Sequence, residues 1–206
     1  MESALTLGSA DQQLGLRFKK LFLSDSDVGL KVKGSLNTVT AQCEVTGELN
    51  KFFRLGSLKP HDPNEAYQPD TRLRLGMGLK ASGVGGKTYS ADDVLLSVSA
   101  KKKVAVHRSQ EVVRGRLLLR NYTQASVAAN YDYNIRSEQW GGEVHAHLSH
   151  AIFRFTDDQD VRLTAGVRAP LTQQGVGAAQ PYLRVQENCW SLTVTPDGQW
   201  RVSYDL

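Results

Sequence analysis

Apolar and polar residues alternate with a period of two along most of the chain, which predicts a protein built of β-strands. In the last stretch, for example, Trp200 and Tyr204 share one face of a strand and Arg201 lies on the other. The pattern has two physical explanations. Either the apolar faces line a core and the polar faces meet water, or the apolar faces meet lipid and the polar faces line a pore.

The alternation predicts about twelve strands in hairpin succession, an antiparallel up-and-down meander of the all-β class. A β-bulge near His150 to Ile152 is predicted to shift the register there, which puts Phe153 and Phe155 on the apolar face. The predicted strands are residues 14–20, 28–37, 39–49, 72–81, 94–101, 112–122, 126–136, 140–155 and 160–168, with three more within 182–206.

The length of 206 residues suits one closed barrel, and we predict a single β-barrel domain over residues 1–206. Long loops are predicted at about 51–71, 82–93, 102–111 and 169–181, where proline, glycine or charge interrupts the alternation. With an even number of strands both termini lie on one side, and most of the long loops then lie on the other. No apolar run approaches the roughly 20 residues of a membrane helix. A membrane-spanning form of this chain would therefore be a β-barrel.

The distribution of charge over the two faces separates the two explanations. The formal net charge is only +4. In the predicted register, however, about two thirds of the 25 basic residues fall on the polar face, and most of the 21 acidic residues fall elsewhere. A soluble barrel mixes both signs on its outer surface, whereas rings of Arg and Lys inside a barrel select anions. The predicted pore-lining and anion-binding residues are Arg17, Lys19, Lys31, Lys33, Arg72, Arg74, Lys80, Lys101, Arg114, Arg116, Arg120, Arg136, Arg154, Arg162, Arg168, Arg184 and Arg201.

Three aromatic residues of the last strands lie on the predicted apolar face. Trp190, Trp200 and Tyr204 are predicted to face lipid in an aromatic girdle, as in membrane barrels. The core of a β-sandwich would place aromatic residues in a similar pattern. The membrane interpretation is therefore supported by the joint placement of the three residues and not by any one of them.

The remaining candidate residues do not predict a metal site, a catalytic centre or a disulfide. His145 and His147 are predicted to face inward, but no further ligands for a metal are evident, so no metal site is predicted. No catalytic triad, carboxylate pair or nucleophile elbow is visible, and we predict that the protein is not an enzyme. Cys43 and Cys189 are predicted to be free thiols.

Two segments, FRFTDDQDVRLTAGV (153–167) and YLRVQENCWSLTVTPDGQWRVSYDL (182–206), carry a family resemblance. They are similar to the chloroplast outer envelope pore proteins of about 21 kDa, whose channel is a membrane β-barrel. Weaker likeness extends through 72–104 and 28–37, and the loops at 51–71 and 169–181 look longer than in that family.

The resemblance implies an anion-selective, rectifying channel of the plastid outer envelope membrane. It would pass phosphate and phosphorylated three-carbon metabolites such as triose phosphates and 3-phosphoglycerate. ATP would act as a regulatory ligand, with no cofactor, and we expect a monomeric pore in contact with membrane lipid.

Two other functions remain open on the sequence alone. A soluble β-barrel could bind an apolar ligand inside and keep its polar strands outside. Nucleic-acid binding is disfavoured because the aromatic residues of such a sheet should lie on the basic face, and here they lie opposite.

Overall fold

The alternating segments form antiparallel strands, most of which pair with the strands next to them along the chain. The structure is a computed structural model that describes residues 2–9, 14–38, 40–56, 70–84, 94–113, 116–156 and 159–206. Its strands are β1 (Glu2–Gly8), β2 (Leu14–Leu23), β3 (Val28–Asn37), β4 (Cys43–Leu55), β5 (Leu73–Val84), β6 (Val94–Val113), β7 (Arg116–Asn134), β8 (Gln139–Thr156), β9 (Gln159–Thr172), β10 (Gly175–Val176), β11 (Gln180–Glu187), β12 (Trp190–Val194) and β13 (Trp200–Asp205).

Pairing between the first and last strands closes the sheet into a barrel. β1 pairs with β13 from Ala4–Asp205 to Gly8–Arg201. Within the described residues, twelve strands form the ring, in the order β1 to β9 followed by β11, β12 and β13. The two-residue β10 pairs with β9 beside the ring. The prediction of an antiparallel meander barrel of about twelve strands is therefore confirmed.

The N-terminal strand β1 was not predicted, and it is the strand against which β13 closes the barrel. Its outward side chains Ser3, Leu5 and Leu7 alternate with small or polar inward ones, which gives a weak apolar signal. The predicted number of strands still agrees because residues 94–134 were divided into three strands where the structure has two.

Two predicted loops are largely strand. Residues 102–111 belong to β6, which pairs with β7 as far as Val113–Arg116. Pairing between β5 and β6 ends at Arg74–Lys101, so the β6–β7 hairpin extends beyond β5. The predicted loop at 169–181 holds the end of β9, all of β10 and the start of β11. Residues 51–55 and 82–84 also belong to strands, while 57–69 and 85–93 lie outside the described residues.

The end of the barrel that holds both chain termini is called the terminal mouth here, and the other end the far mouth. The turn at 24–27 lies at the terminal mouth, and β4 ends and β5 begins at that same mouth. The described strand ends that flank the predicted loop at 51–71 are therefore on the side of the termini, not opposite them. The predicted side of the barrel was wrong because the predicted set of strands lacks β1, and the loss of one strand inverts the direction of all the strands that follow.

Apolar side chains cover the outside of the barrel. Leu49, Met77 and Leu183 are 48%, 57% and 62% exposed, and their register partners lie on the same face. Among the described residues, the buried hydrophobic side chains are Tyr122, Ala128, Ala151 and Ala169, so the barrel lacks an extensive apolar core. No helix in the described part of the chain is long and apolar enough to cross a membrane.

The register break in β8 lies later than predicted. His150 to Ile152 pair regularly with Leu163 to Val161, and the irregularity falls between Ile152 and Thr156. Phe153 consequently lines the interior with Ala151, so its predicted position on the apolar face is wrong. Arg154 adopts a φ of 54°, the left-handed conformation of a local bulge.

Candidate functional site

The inward face of the barrel carries most of the predicted cations. Residues that pair in register share a face of the sheet, and the inward face is the one that lines the interior cavities. The predicted residues on this face are Arg17, Lys19, Lys31, Lys33, Arg74, Lys80, Lys101, Arg162, Arg168, Arg184 and Arg201.

Four predicted pore-lining residues lie elsewhere. Arg72 precedes β5 and binds Asp70 at 2.9 Å. Arg136 lies in the turn between β7 and β8. Arg154 lies at the register break, where its backbone N–H donates to the Asp160 side chain. Strand alternation does not assign an inward direction to any of these three.

Arg120 is the fourth. It is exposed and forms an ion pair with Glu111 at 3.1 Å. Leu119, not Arg120, lines the interior cavity beside Tyr122, because a register shift between Ser109 and Gln110 ends the regular alternation. Arg114 and the side chain of Arg116 lie outside what the structure describes.

One side of the interior forms a cavity of about 690 Å³ with a strongly basic lining. No carboxylate is present among its described lining residues. Lys103 was missed because it falls in the predicted loop at 102–111, although it alternates in step with Lys101. We call this set of five the cationic wall: Lys101, Lys103, Arg162, Arg168 and Arg184.

Two of these cations have a described side-chain partner: Arg168 lies beside an aromatic ring and a carboxylate, and Arg184 beside a hydroxyl group. The Arg168 guanidinium lies 5.0 Å from the centre of the Tyr182 ring and 4.0 Å from the Glu143 carboxylate. Arg184 donates to the Ser191 hydroxyl at 3.1 Å. No ion pair of Lys101, Lys103 or Arg162 is present within the described residues, so their charge is available to solutes.

A second part of the inward face is nearly neutral. Lys19 pairs with Glu2 at 2.6 Å, Lys31 with Glu48 at 3.2 Å and Lys80 with Asp132 at 2.6 Å. We call these three pairs the neutralised wall. Three of the inward cations are therefore compensated by carboxylates, whereas the cationic wall on β6, β9 and β11 lines a cavity with no carboxylate among its described lining residues.

The two predicted inward histidines lie on the same side of the interior as the cationic wall. The His145 and His147 rings stack with centroids 6.0 Å apart, in register with Arg168 and Gly166 respectively. His150 faces outward and contacts the Thr123 hydroxyl at 2.8 Å. Within the described ranges, no group of three or more His, Cys, Asp or Glu side chains is placed to hold a metal ion.

The geometry agrees with the comparison to known families. The family described as Chloroplast outer envelope pore protein OEP21 matches residues 66–206. The chain belongs to this family. A relative from Pisum sativum, named "Outer envelope pore protein 21, chloroplastic", is 27% identical over 209 residues, which cover 100% of both chains.

Membership of the pore family establishes the general function and the location. The protein is a β-barrel pore of the chloroplast outer envelope. The alternative of a soluble barrel with an apolar interior does not fit, because charged residues face the interior and large apolar residues cover the outside.

The three predicted girdle residues all face outward, at both ends of this membrane barrel. Trp190 pairs with Tyr204 near the terminal mouth, and Trp200 pairs with Val194 near the far mouth. Tyr131 stacks on Trp140 at 5.1 Å, also near the far mouth. Their role as interfacial anchors stays a prediction.

The outward face carries some charged side chains as well as apolar ones. Lys20, Lys51 and Lys102 share that face with apolar register partners. The Lys20 ammonium lies 4.8 Å from the centre of the Phe22 ring, and the Lys51 ammonium donates to the Ser26 carbonyl at the terminal mouth. Such side chains reach along apolar surface toward the polar boundary of a membrane.

The bidentate ion pair between Arg72 and Asp70 at the terminal mouth leads to a prediction about pH. Hydrogen bonds from the Arg72 guanidinium lower the pKa of Asp70 to about 2. A lowered carboxyl pKa gives stability above the ordinary aspartate value of about 4, and that stability is lost as the pH falls through about 2. In an NMR titration we expect the Asp70 carboxyl to titrate near pH 2, and Arg72→Gln to raise this midpoint toward the ordinary value. An unchanged midpoint in the variant would show that Arg72 is not the cause.

Proposed function

We propose that this pore is an anion-selective, rectifying channel that passes phosphate and phosphorylated three-carbon metabolites, including triose phosphates and 3-phosphoglycerate. The observation that carries the proposal is the cationic wall. The cavity that it lines has these five basic residues and no carboxylate among its described lining residues. Low-dielectric walls focus the field of such a cluster and raise the local concentration of anions. The same field lowers the local concentration of cations.

The residue types suit solutes that carry phosphate. An arginine presents a planar fork of N–H donors that matches two phosphate oxygens, and a lysine acts as a flexible point charge. Rapid conduction requires several weak sites rather than one tight site. The spacing of Lys101, Arg162 and Arg184 over three strands fits that requirement.

Regulation by ATP forms part of the proposal. A triphosphate carries more charge than a triose phosphate and would occupy several cations of the wall at once, which would alter the current. We also propose that one barrel is one pore, that no further cofactor is needed and that the pore has no catalytic role. The closed ring supports a monomeric unit because each of its twelve strands pairs with a neighbour on both sides, so the ring needs no second chain to close it.

The proposal predicts a reversal potential of the sign that favours chloride when the pore is reconstituted in a planar bilayer under a KCl gradient. Exchange of chloride for phosphate, and then for 3-phosphoglycerate, should leave measurable anion current. ATP on one side should change that current. A reversal potential that favours potassium would refute the anion-selective function while leaving the barrel itself intact.

A further inference from the structure

The inward face of β2 changes character near the terminal mouth. Arg17 and Lys19 face inward, but the next inward positions are Leu21 and Leu23, in register with Lys31 and Gly29. These leucines are 49% and 52% exposed. Since they share the face of Lys19 and Lys31, the surface that they expose borders the pore.

Phe52 joins these leucines over two glycines. A Cβ atom on Gly29 would lie 2.8 Å from Phe52 Cε2, 3.4 Å from Leu23 Cδ1 and 3.7 Å from Leu21 Cδ1. A Cβ on Gly76 would lie 3.1 Å from the same ring. The missing side chains of Gly29 and Gly76 leave the space that the ring fills. We call Leu21, Leu23 and Phe52 the apolar patch.

Two cations border the apolar patch. The Arg74 guanidinium carbon lies 3.7 Å from the centre of the Phe52 ring, and Lys101 is the register partner of Arg74. Stacking occupies the flat face of a guanidinium and leaves its in-plane N–H donors available. Within the described residues Arg74 and Lys101 have no carboxylate partner, whereas the neighbouring Arg54 is paired with Asp27 at 2.8 Å.

We propose that the apolar patch, together with Arg74 and Lys101, forms a binding site for small organic anions that carry an aromatic or branched aliphatic group. The anionic end contacts Arg74 and Lys101, and the apolar group packs on Leu21 and Leu23. An apolar surface beside a few convergent polar groups is the usual composition of a small-molecule site.

This site goes beyond the proposed passage of phosphate compounds. Such passage requires charge alone and gives no reason for leucine and phenylalanine on the inward face. Binding at the apolar patch does not depend on the selectivity of the pore, so the two proposals can fail separately.

The test compares two monoesters of equal charge, phenyl phosphate and methyl phosphate. Binding of each to the full chain in lipid nanodiscs is measured by equilibrium dialysis, with protein-free nanodiscs as the control for partition into lipid. Burial of about half of a phenyl ring should make phenyl phosphate bind roughly tenfold more tightly than methyl phosphate. Equal affinities in the unmodified protein would overturn the proposal.

Variants locate the site. Leu21→Ser with Leu23→Ser should reduce the preference for phenyl phosphate to about twofold or less and leave the affinity for methyl phosphate unchanged. As a control, Phe153→Ser removes an inward aromatic side chain from the cavity that the cationic wall lines. This variant should keep the tenfold preference. A preference that survives the double substitution would place the binding elsewhere and contradict the proposal.

Two further measurements separate the possible failures. Phe52→Leu keeps an apolar side chain but removes the stacked ring, so it should lower the preference even if the double-serine variant does not fold. The reversal potential of each folded variant should stay on the chloride side, because none of these substitutions removes a charge. Loss of the preference with unchanged ion selectivity supports the apolar patch as a separate site.

Discussion

Replacement of three cations of the cationic wall, Lys103→Ser, Arg162→Ser and Arg184→Ser, should lower the ratio of chloride to potassium permeability by about eightfold. The reversal potential in a planar bilayer under a KCl gradient should move toward the potassium side by the corresponding amount. Retention of the circular dichroism spectrum of the β-barrel would show that the variant has folded.

The magnitude follows from Coulomb's law. A unit charge about 8 Å from a passing ion contributes about 0.5 kcal/mol in water, or about 0.2 kcal/mol after screening at physiological ionic strength. That energy lowers the free energy of an anion and raises that of a cation, so one charge changes the permeability ratio about twofold. Three such charges together change it by about eightfold.

A matched control uses the neutralised wall. The double variant Lys80→Ser and Asp132→Ser removes a pair of opposite charges at 2.6 Å and leaves the net charge unchanged. Its reversal potential should stay close to that of the unmodified pore. An equal shift in both variants would mean that the cationic wall has no special part in selection.

The period-two pattern was sufficient to predict the closed all-β barrel because register and face are tied together in a sheet. Central strand positions such as Lys33, Lys80 and Arg162 face inward as predicted, since uninterrupted alternation surrounds them. Whether these inward cations bind anions stays a prediction.

The assignment of side chains to the inward or outward face failed where the alternation ends or shifts. A slip of one residue reverses every later side chain, and the slips lie at Ser109–Gln110 and after Ile152. Arg120 and Arg154 follow these breaks, and Arg136 lies in a turn. The sequence contains no strong signal for where a strand bends, because a bulge depends on the hydrogen bonds of its partner strand.

Composition was misleading in another way. The run from Lys102 to Arg108 falls in the predicted loop at 102–111, but it continues β6 beyond the edge of β5. Conversely, Leu21 and Leu23 are apolar and still face inward. The rule that apolar residues face lipid holds for most of the chain and fails at the terminal mouth, where the structure was needed to find the apolar patch.

Arginine at Leu163 should prevent most of the protein from inserting into vesicles, whereas arginine at the next residue, Thr164, should not. Leu163 is 46% exposed on the outward face and is in register with Val185. Thr164 is in register with Arg184 and lines the same cavity as the cationic wall. A charged residue on the lipid face costs about 2–4 kcal/mol near the middle of the bilayer. Inside the pore, the same side chain stays in water.

The two variants differ by one position along β9, so their length, composition and net charge are nearly the same. Folding into lipid vesicles from urea, followed by protease protection and circular dichroism, gives the free energy of insertion for each. We expect Leu163→Arg to be less stable than Thr164→Arg by about 2–4 kcal/mol. Equal insertion of the two variants would show that the inward and outward faces are assigned wrongly, and the cationic wall would then face lipid, where its five charges could not be stable.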